Sequence, residues 1–160
     1  VSKTLLDEKF TLAHIGSFLS ERNPRILWKA LKELVKEEAG FASDFRLKLI
    51  GKISQDVLDS IAEFKLSKYV DNLGYVSHQE AIMHQRKSQV LLLIEINSEE
   101  TRCIIPGKLF EYMVSERPII AIGPKASDFE MILKETNTGT FFGYDEKKRL
   151  KTTILAHYSL

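Results

Sequence analysis

The stretch Ile105-Pro-Gly-Lys-Leu-Phe-Glu-Tyr-Met113 holds the residues best suited to chemistry. Pro106 suits the first position of a helix, where its missing N–H costs nothing, yet Ile105 before it has no side chain that could cap. The first turn is therefore expected to present free backbone N–H groups, with Gly107 leaving room for a ligand and Lys108 adding positive charge. Such a helix start favours an anion, phosphate above all. Glu111 follows one turn later on the face of Lys108, and a carboxylate beside a phosphate site is a natural acceptor for sugar hydroxyls. The same spacing fits equally well an exposed Lys108–Glu111 ion pair worth roughly 0.2–0.5 kcal/mol.

Gly16, Gly51, Gly74 and Gly123, four of the eight glycines, each close an apolar run just before the chain turns toward a helical stretch. In an open parallel sheet these turns share one edge, where ligands bind. Glycine there lets a ligand approach backbone amides, although it also simply suits the turn. Several chemistries lack their motifs. No Gly-x-Gly-x-x-Gly follows a strand, and Gly51-Lys-Ile-Ser54 lacks the spacing of a Walker loop. No Gly-x-Ser-x-Gly elbow is present. His78 and His84, six residues apart, fall on different faces of a helix. No metal ligands and no cofactor are expected.

These residues need elements to hold them. Apolar runs predict strands at Thr11–Ile15, Arg46–Ile50, Tyr69–Leu73, Gln89–Ile94, Pro118–Ile122 and Gly139–Phe142. Between them lie helical patterns. Ile26, Leu27, Ala30, Leu31, Leu34 and Val35 form one apolar stripe, with Asn23 and Pro24 expected as cap and first turn. A second helix is predicted over about Ser54–Phe64, and others open at Pro106 and near Asp145. Ser77-His-Gln-Glu80 and Ser127-Asp-Phe-Glu130 have the form of capping boxes. Strands alternating with helices predict an α/β domain, a Rossmann-like parallel sheet of about six strands with helices on both faces.

The 160 residues suffice for one such domain. Lys plus Arg (23) nearly balance Asp plus Glu (22), which argues against a broad nucleic-acid footprint. The single cysteine, Cys103, excludes an internal disulfide framework and suits a reducing compartment. No apolar run approaches the ~20 residues that span a bilayer. The chain opens on Val1 rather than methionine, so a fragment of a longer protein is expected, with residues 1–10 a linker remnant and 11–160 the domain.

Pro106-Gly-Lys-Leu-Phe-Glu-Tyr-Met, followed by Glu116-Arg-Pro-Ile-Ile-Ala and Gly123-Pro, resembles the nucleotide-sugar half of a "group 1" glycosyltransferase. Ile15-Gly-Ser-Phe with Arg22-Asn-Pro24 is similar to the first strand and glycine loop of that half. Leu49-Ile-Gly51 and Val70-Asp-Asn-Leu-Gly-Tyr-Val76 resemble its second and third strands. The likeness runs from about Thr11 to Leu150. It implies a GT-B enzyme of two Rossmann-like domains, of which this is the C-terminal, donor-binding one and the N-terminal acceptor domain is absent.

The resemblance also implies roles. Glu111 matches a motif glutamate that binds donor ribose hydroxyls, and Lys108, beside Gly107, lies close to the diphosphate or the sugar. The Gly16-Ser17 loop approaches the diphosphate, with Arg22 at the basic position after it. The turn Gly74-Tyr75-Val76 holds the base. Lys108 and Glu111 are the implied catalytic residues. Cys103 stands where the family often has an earlier glutamate, eight residues before Glu111. Ser115 and Glu116 replace a small residue and a glycine. The implied activity is retaining, metal-independent transfer from a UDP- or GDP-linked sugar to a carbohydrate or lipid-linked acceptor, with a role in surface polysaccharide synthesis. The expected location is cytoplasmic, at most peripheral to the inner face of the membrane through the missing half, and the fragment alone is expected to be inactive. The competing readings are a non-catalytic nucleotide-binding or regulatory domain and a GT-B nucleotide-sugar epimerase.

Overall fold

Alternating apolar runs and helical stripes produce one parallel sheet, in a computed structural model that describes residues 5–160. Its strands are β1 (Phe10–Ile15), β2 (Phe45–Ile50), β3 (Val70–Gly74), β4 (Val90–Ile94), β5 (Ile119–Ile122) and β6 (Gly139–Phe142). Their order is β3-β2-β1-β4-β5-β6. The helices among the described residues are α1 (Arg25–Glu37), α2 (Ala39–Asp44), α3 (Gln55–Glu63), α4 (His78–Lys87), α5 (Lys108–Val114), α6 (Asp128–Thr136) and α7 (Lys147–Tyr158).

Side chains alternate across the sheet, as the two-residue strand period requires. Leu12, Leu47, Leu49, Leu92, Ile120 and Phe142 pack beneath α1, α2, α3 and α7. Ala13, Ile15, Leu91, Leu93, Ala121 and Phe141 face α4, α5 and α6. Every residue of β4 and β5 is buried, as strands covered on both faces must be.

The expected strands are present to within a residue or so at each end. Two local expectations are corrected, and one helix is additional to those expected. Asn23 does not cap α1; its amide oxygen accepts from Trp28 Nε1 at 2.7 Å and its nitrogen donates to Ser60 Oγ at 2.7 Å, so the side chain is spent on tertiary contacts. Helix α5 opens at Lys108 rather than Pro106, with Pro106 and Gly107 in the turn before it. Helix α2 has no counterpart among the expected elements. It is short and holds one buried residue, Phe41, whose ring stacks on Phe45 at 5.0 Å. Ser77 and Ser127 do cap α4 and α6, each accepting from the N–H three residues on at 3.2 Å. Glu130 reaches back to the N–H of Ala126, one residue before the cap.

Residues 1–4 of the expected linker lie outside the described residues. Beyond them, the Asp7 carboxylate pairs with the buried Lys48 ammonium at 2.7 Å and accepts from Thr11 Oγ1, and Phe10 already belongs to β1.

Candidate functional site

Strand order reverses at β1, which pairs with β2 on one side and β4 on the other. The loops leaving β1 and β4 therefore diverge and open a crevice at the carboxyl edge of the sheet. A cavity of about 470 Å³ lies there, lined by Gly16 and Ser17 after β1, by Arg22, by Glu95 after β4, and by Gly107, Lys108 and Glu111 around the start of α5. A smaller cavity of about 170 Å³ adjoins it, shares Gly16 and Lys108, and is lined also by Tyr75, Val76 and His78.

The turn after β1 needs glycine twice over. Gly16 has φ +115°, a region that side chains avoid, and a Cβ there would meet nothing nearer than Lys108 Cε at 3.9 Å. Within 4 Å of that position stands only the Lys108 side chain. Gly51, at φ +111°, lies beneath it, where a Cβ would sit 2.7 Å from the Gly16 carbonyl oxygen.

Helix α5 is anchored to the same turn. The buried Tyr112 hydroxyl accepts from the Ile15 N–H at 3.1 Å, fastening the helix to the end of β1. The expected row of free N–H groups is only partly available, because Leu109 N–H donates to the Pro106 carbonyl at 3.1 Å. The Lys108 ammonium carries the positive charge at this end. It stands 3.2 Å from Glu111 Oε2, and Gln85 Nε2 donates to Glu111 Oε1 at 2.8 Å. Burial alone would raise the Glu111 carboxyl; the Gln85 amide and the Lys108 ammonium outweigh it, and the net shift is downward.

The opposite wall is also polar. Glu95, 3% exposed, accepts from the Ile96 N–H through Oε1 at 2.8 Å, with Arg22 Nη2 3.8 Å from that oxygen. His14 lies beside them, stacked on Phe18 at 4.1 Å between ring centroids. Burial, then the Arg22 charge, lowers its pKa to about 3, so the ring is neutral at pH 7.

The structure thus brings Gly16, Ser17, Arg22, Gly107, Lys108 and Glu111 to one cavity, and Tyr75 and Val76 to its neighbour. Gly74 lines neither; it ends β3 at φ +66°, and its carbonyl accepts from the Gly51 N–H at 2.7 Å. Cys103 is exposed and lines neither cavity. Sequence reasoning missed Glu95, His14 and Gln85. For the first two a signal was present: each is a polar residue at the carboxyl end of an otherwise buried strand run. Gln85 gave none, being one of several polar residues on α4.

A family model described as Glycosyl transferases group 1 matches residues 9–159. Solved structures with the same fold include WaaG, described as a glycosyltransferase involved in lipopolysaccharide biosynthesis. It has a TM-score of 0.75 at 11% identity, over 98% of this chain and 40% of that one. The Anabaena protein HepE, in complex with UDP and glucose, aligns with a TM-score of 0.68 at 18% identity, over 92% of this chain and 38% of its own. The C-terminal domain of LpcC from Francisella tularensis aligns at 0.66 and 14% identity, over 97% of this chain and 78% of that one. The chain spans about two fifths of the first two relatives. A search of curated proteins found no match.

Proposed function

Because this chain belongs to the group 1 glycosyl transferases, we propose that it is the donor-binding half of a two-domain glycosyltransferase. The donor is a nucleotide diphosphate sugar, UDP- or GDP-linked, and the acceptor a carbohydrate or lipid carrier brought by an N-terminal domain. One observation carries this reading: a glycine turn open to a ligand, two cations and the Lys108–Glu111 pair converge on a single cavity at the switch point of the sheet.

In this reading the Gly16-Ser17 backbone meets the diphosphate, and Lys108 and Arg22 face the charge that grows on it as the sugar–phosphate bond breaks. Charge placed in advance stabilises the transition state without reorganisation, which is the basis of a metal-independent mechanism. Glu111 takes the ribose hydroxyls, while Tyr75 and Val76 meet the base through their backbone, since the Tyr75 side chain is 93% exposed. Transfer retains the anomeric configuration and serves surface polysaccharide synthesis on the cytoplasmic side of the membrane. HepE, in complex with UDP and glucose, supports the donor class, and WaaG, a glycosyltransferase involved in lipopolysaccharide biosynthesis, supports the role in polysaccharide synthesis. The chain alone binds donor without transferring it.

Titration calorimetry with UDP, GDP and ADP tests the reading, with Glu111→Ala as the control. Selective binding of one nucleotide, weakened about tenfold or more in the folded variant, is the expected result. Equal binding of all three, or an unchanged affinity in Glu111→Ala, would count against it.

A further inference from the structure

Two carboxylates line the main cavity, and they differ in what remains free. Each oxygen of Glu111 already has one partner, Gln85 on Oε1 and Lys108 on Oε2, which leaves a second lone pair on each for a ribose hydroxyl. Glu95 uses only Oε1, which accepts from the Ile96 N–H and faces Arg22. Among the described residues no hydrogen bond reaches its Oε2, and Glu95 is one of the residues that line the cavity.

The position is held firmly. Glu95 N–H donates to the Ile122 carbonyl at 2.9 Å, and the Glu95 carbonyl accepts from the Tyr144 hydroxyl at 2.7 Å. The side chain itself is 4% exposed. A clamped acceptor of this kind loses little freedom on meeting a ligand. Its negative charge repels phosphate, so the groups it can accept from are O–H or N–H donors. In a nucleotide diphosphate sugar, the ribose and the transferred sugar carry such groups.

Resting on the donor-binding reading above, which gives the ribose to Glu111, we propose that Glu95 accepts hydrogen bonds from hydroxyls of the transferred sugar. Glu95 is then a specificity-determining residue, and Arg22 and the Ile96 N–H orient it.

The test compares UDP with UDP-glucose, and GDP with GDP-mannose, by calorimetry on this chain. Glu95→Gln keeps the size and an acceptor for Ile96 but removes the charge. Its affinity for the nucleotide sugar should fall about tenfold relative to its affinity for the bare nucleotide diphosphate, which the loss of a repelling charge leaves equal or tighter. Glu111→Ala should weaken sugar-bearing and bare nucleotide alike. Circular dichroism checks the fold; where Glu95→Gln does not fold, Glu95→Asp carries the same comparison. Equal losses for both ligands, or no loss for either, would overturn the assignment. If the unmodified chain binds no nucleotide at all, the donor reading itself falls, and the role of Glu95 with it.

Discussion

His14 lies in the strand Phe10-Thr-Leu-Ala-His-Ile15 and is 6% exposed. Burial and the Arg22 charge lower its pKa from 6.5 to about 3. Below pH 6.5 the unfolded chain therefore binds a proton that the folded chain refuses until about pH 3. Stability falls as pH drops through that window, by about 2 kcal/mol between pH 7.5 and pH 5. Urea unfolding at the two pH values should show this loss shrink by about that amount in His14→Gln. An unchanged pH dependence would mean that other groups, such as His84 and His157, whose pKa values burial also lowers, account for it. The places of Gly16 and Lys108 at the cavity were legible in the sequence because they follow from local backbone demands, a left-handed turn and a helix start. For His14 and Glu95 the sequence shows only a polar residue at the end of an apolar run; the burial that makes each of them special is imposed by distant segments.

At the scale of elements the same contrast recurs. Helix α5 has only seven residues, too few for its own hydrogen bonds to sustain it. Burial of Leu109 and Tyr112 and the bond from Ile15 N–H to the Tyr112 hydroxyl hold it in place. Tyr112→Phe keeps the packing but leaves that buried N–H without an acceptor, at a cost of about 1–3 kcal/mol. Because this bond joins α5 to the glycine turn, nucleotide affinity should weaken together with the denaturation midpoint. A lower midpoint with unchanged affinity would show that Tyr112 supports the fold without positioning the site. Strand and helix positions were readable from apolar periodicity and from Ser77 and Ser127. The clasp was not, since its two residues stand 97 apart in the chain. Asn23 misled because its side chain had better partners in Trp28 and Ser60 than a helix end.

At the scale of the whole molecule, the alternation of strands and helices predicts a parallel sheet but does not say on which side of β1 the fourth strand returns. It pairs with β1 from the side opposite β2, and this choice creates the crevice. The cavity is therefore shared between segments that span residues 14–111, and it exists only while the sheet is intact. A ligand bound there stabilises the entire fold. At a concentration of about 100 times Kd the gain is about 2.7 kcal/mol, which for a domain of this size raises Tm by roughly 5–10 °C. Thermal unfolding followed by circular dichroism should show one cooperative transition that moves upward with the cognate nucleotide diphosphate. Glu111→Ala at the same ligand concentration should shift less, because it loses the proposed ribose contact while keeping Lys108 and the glycine turn. Inorganic pyrophosphate separates the contributions further. An upward shift equal to that of the nucleotide would reduce the site to an anion pocket, whereas a smaller shift assigns the difference to the nucleoside, for which Glu111, Tyr75 and Val76 are the proposed contacts.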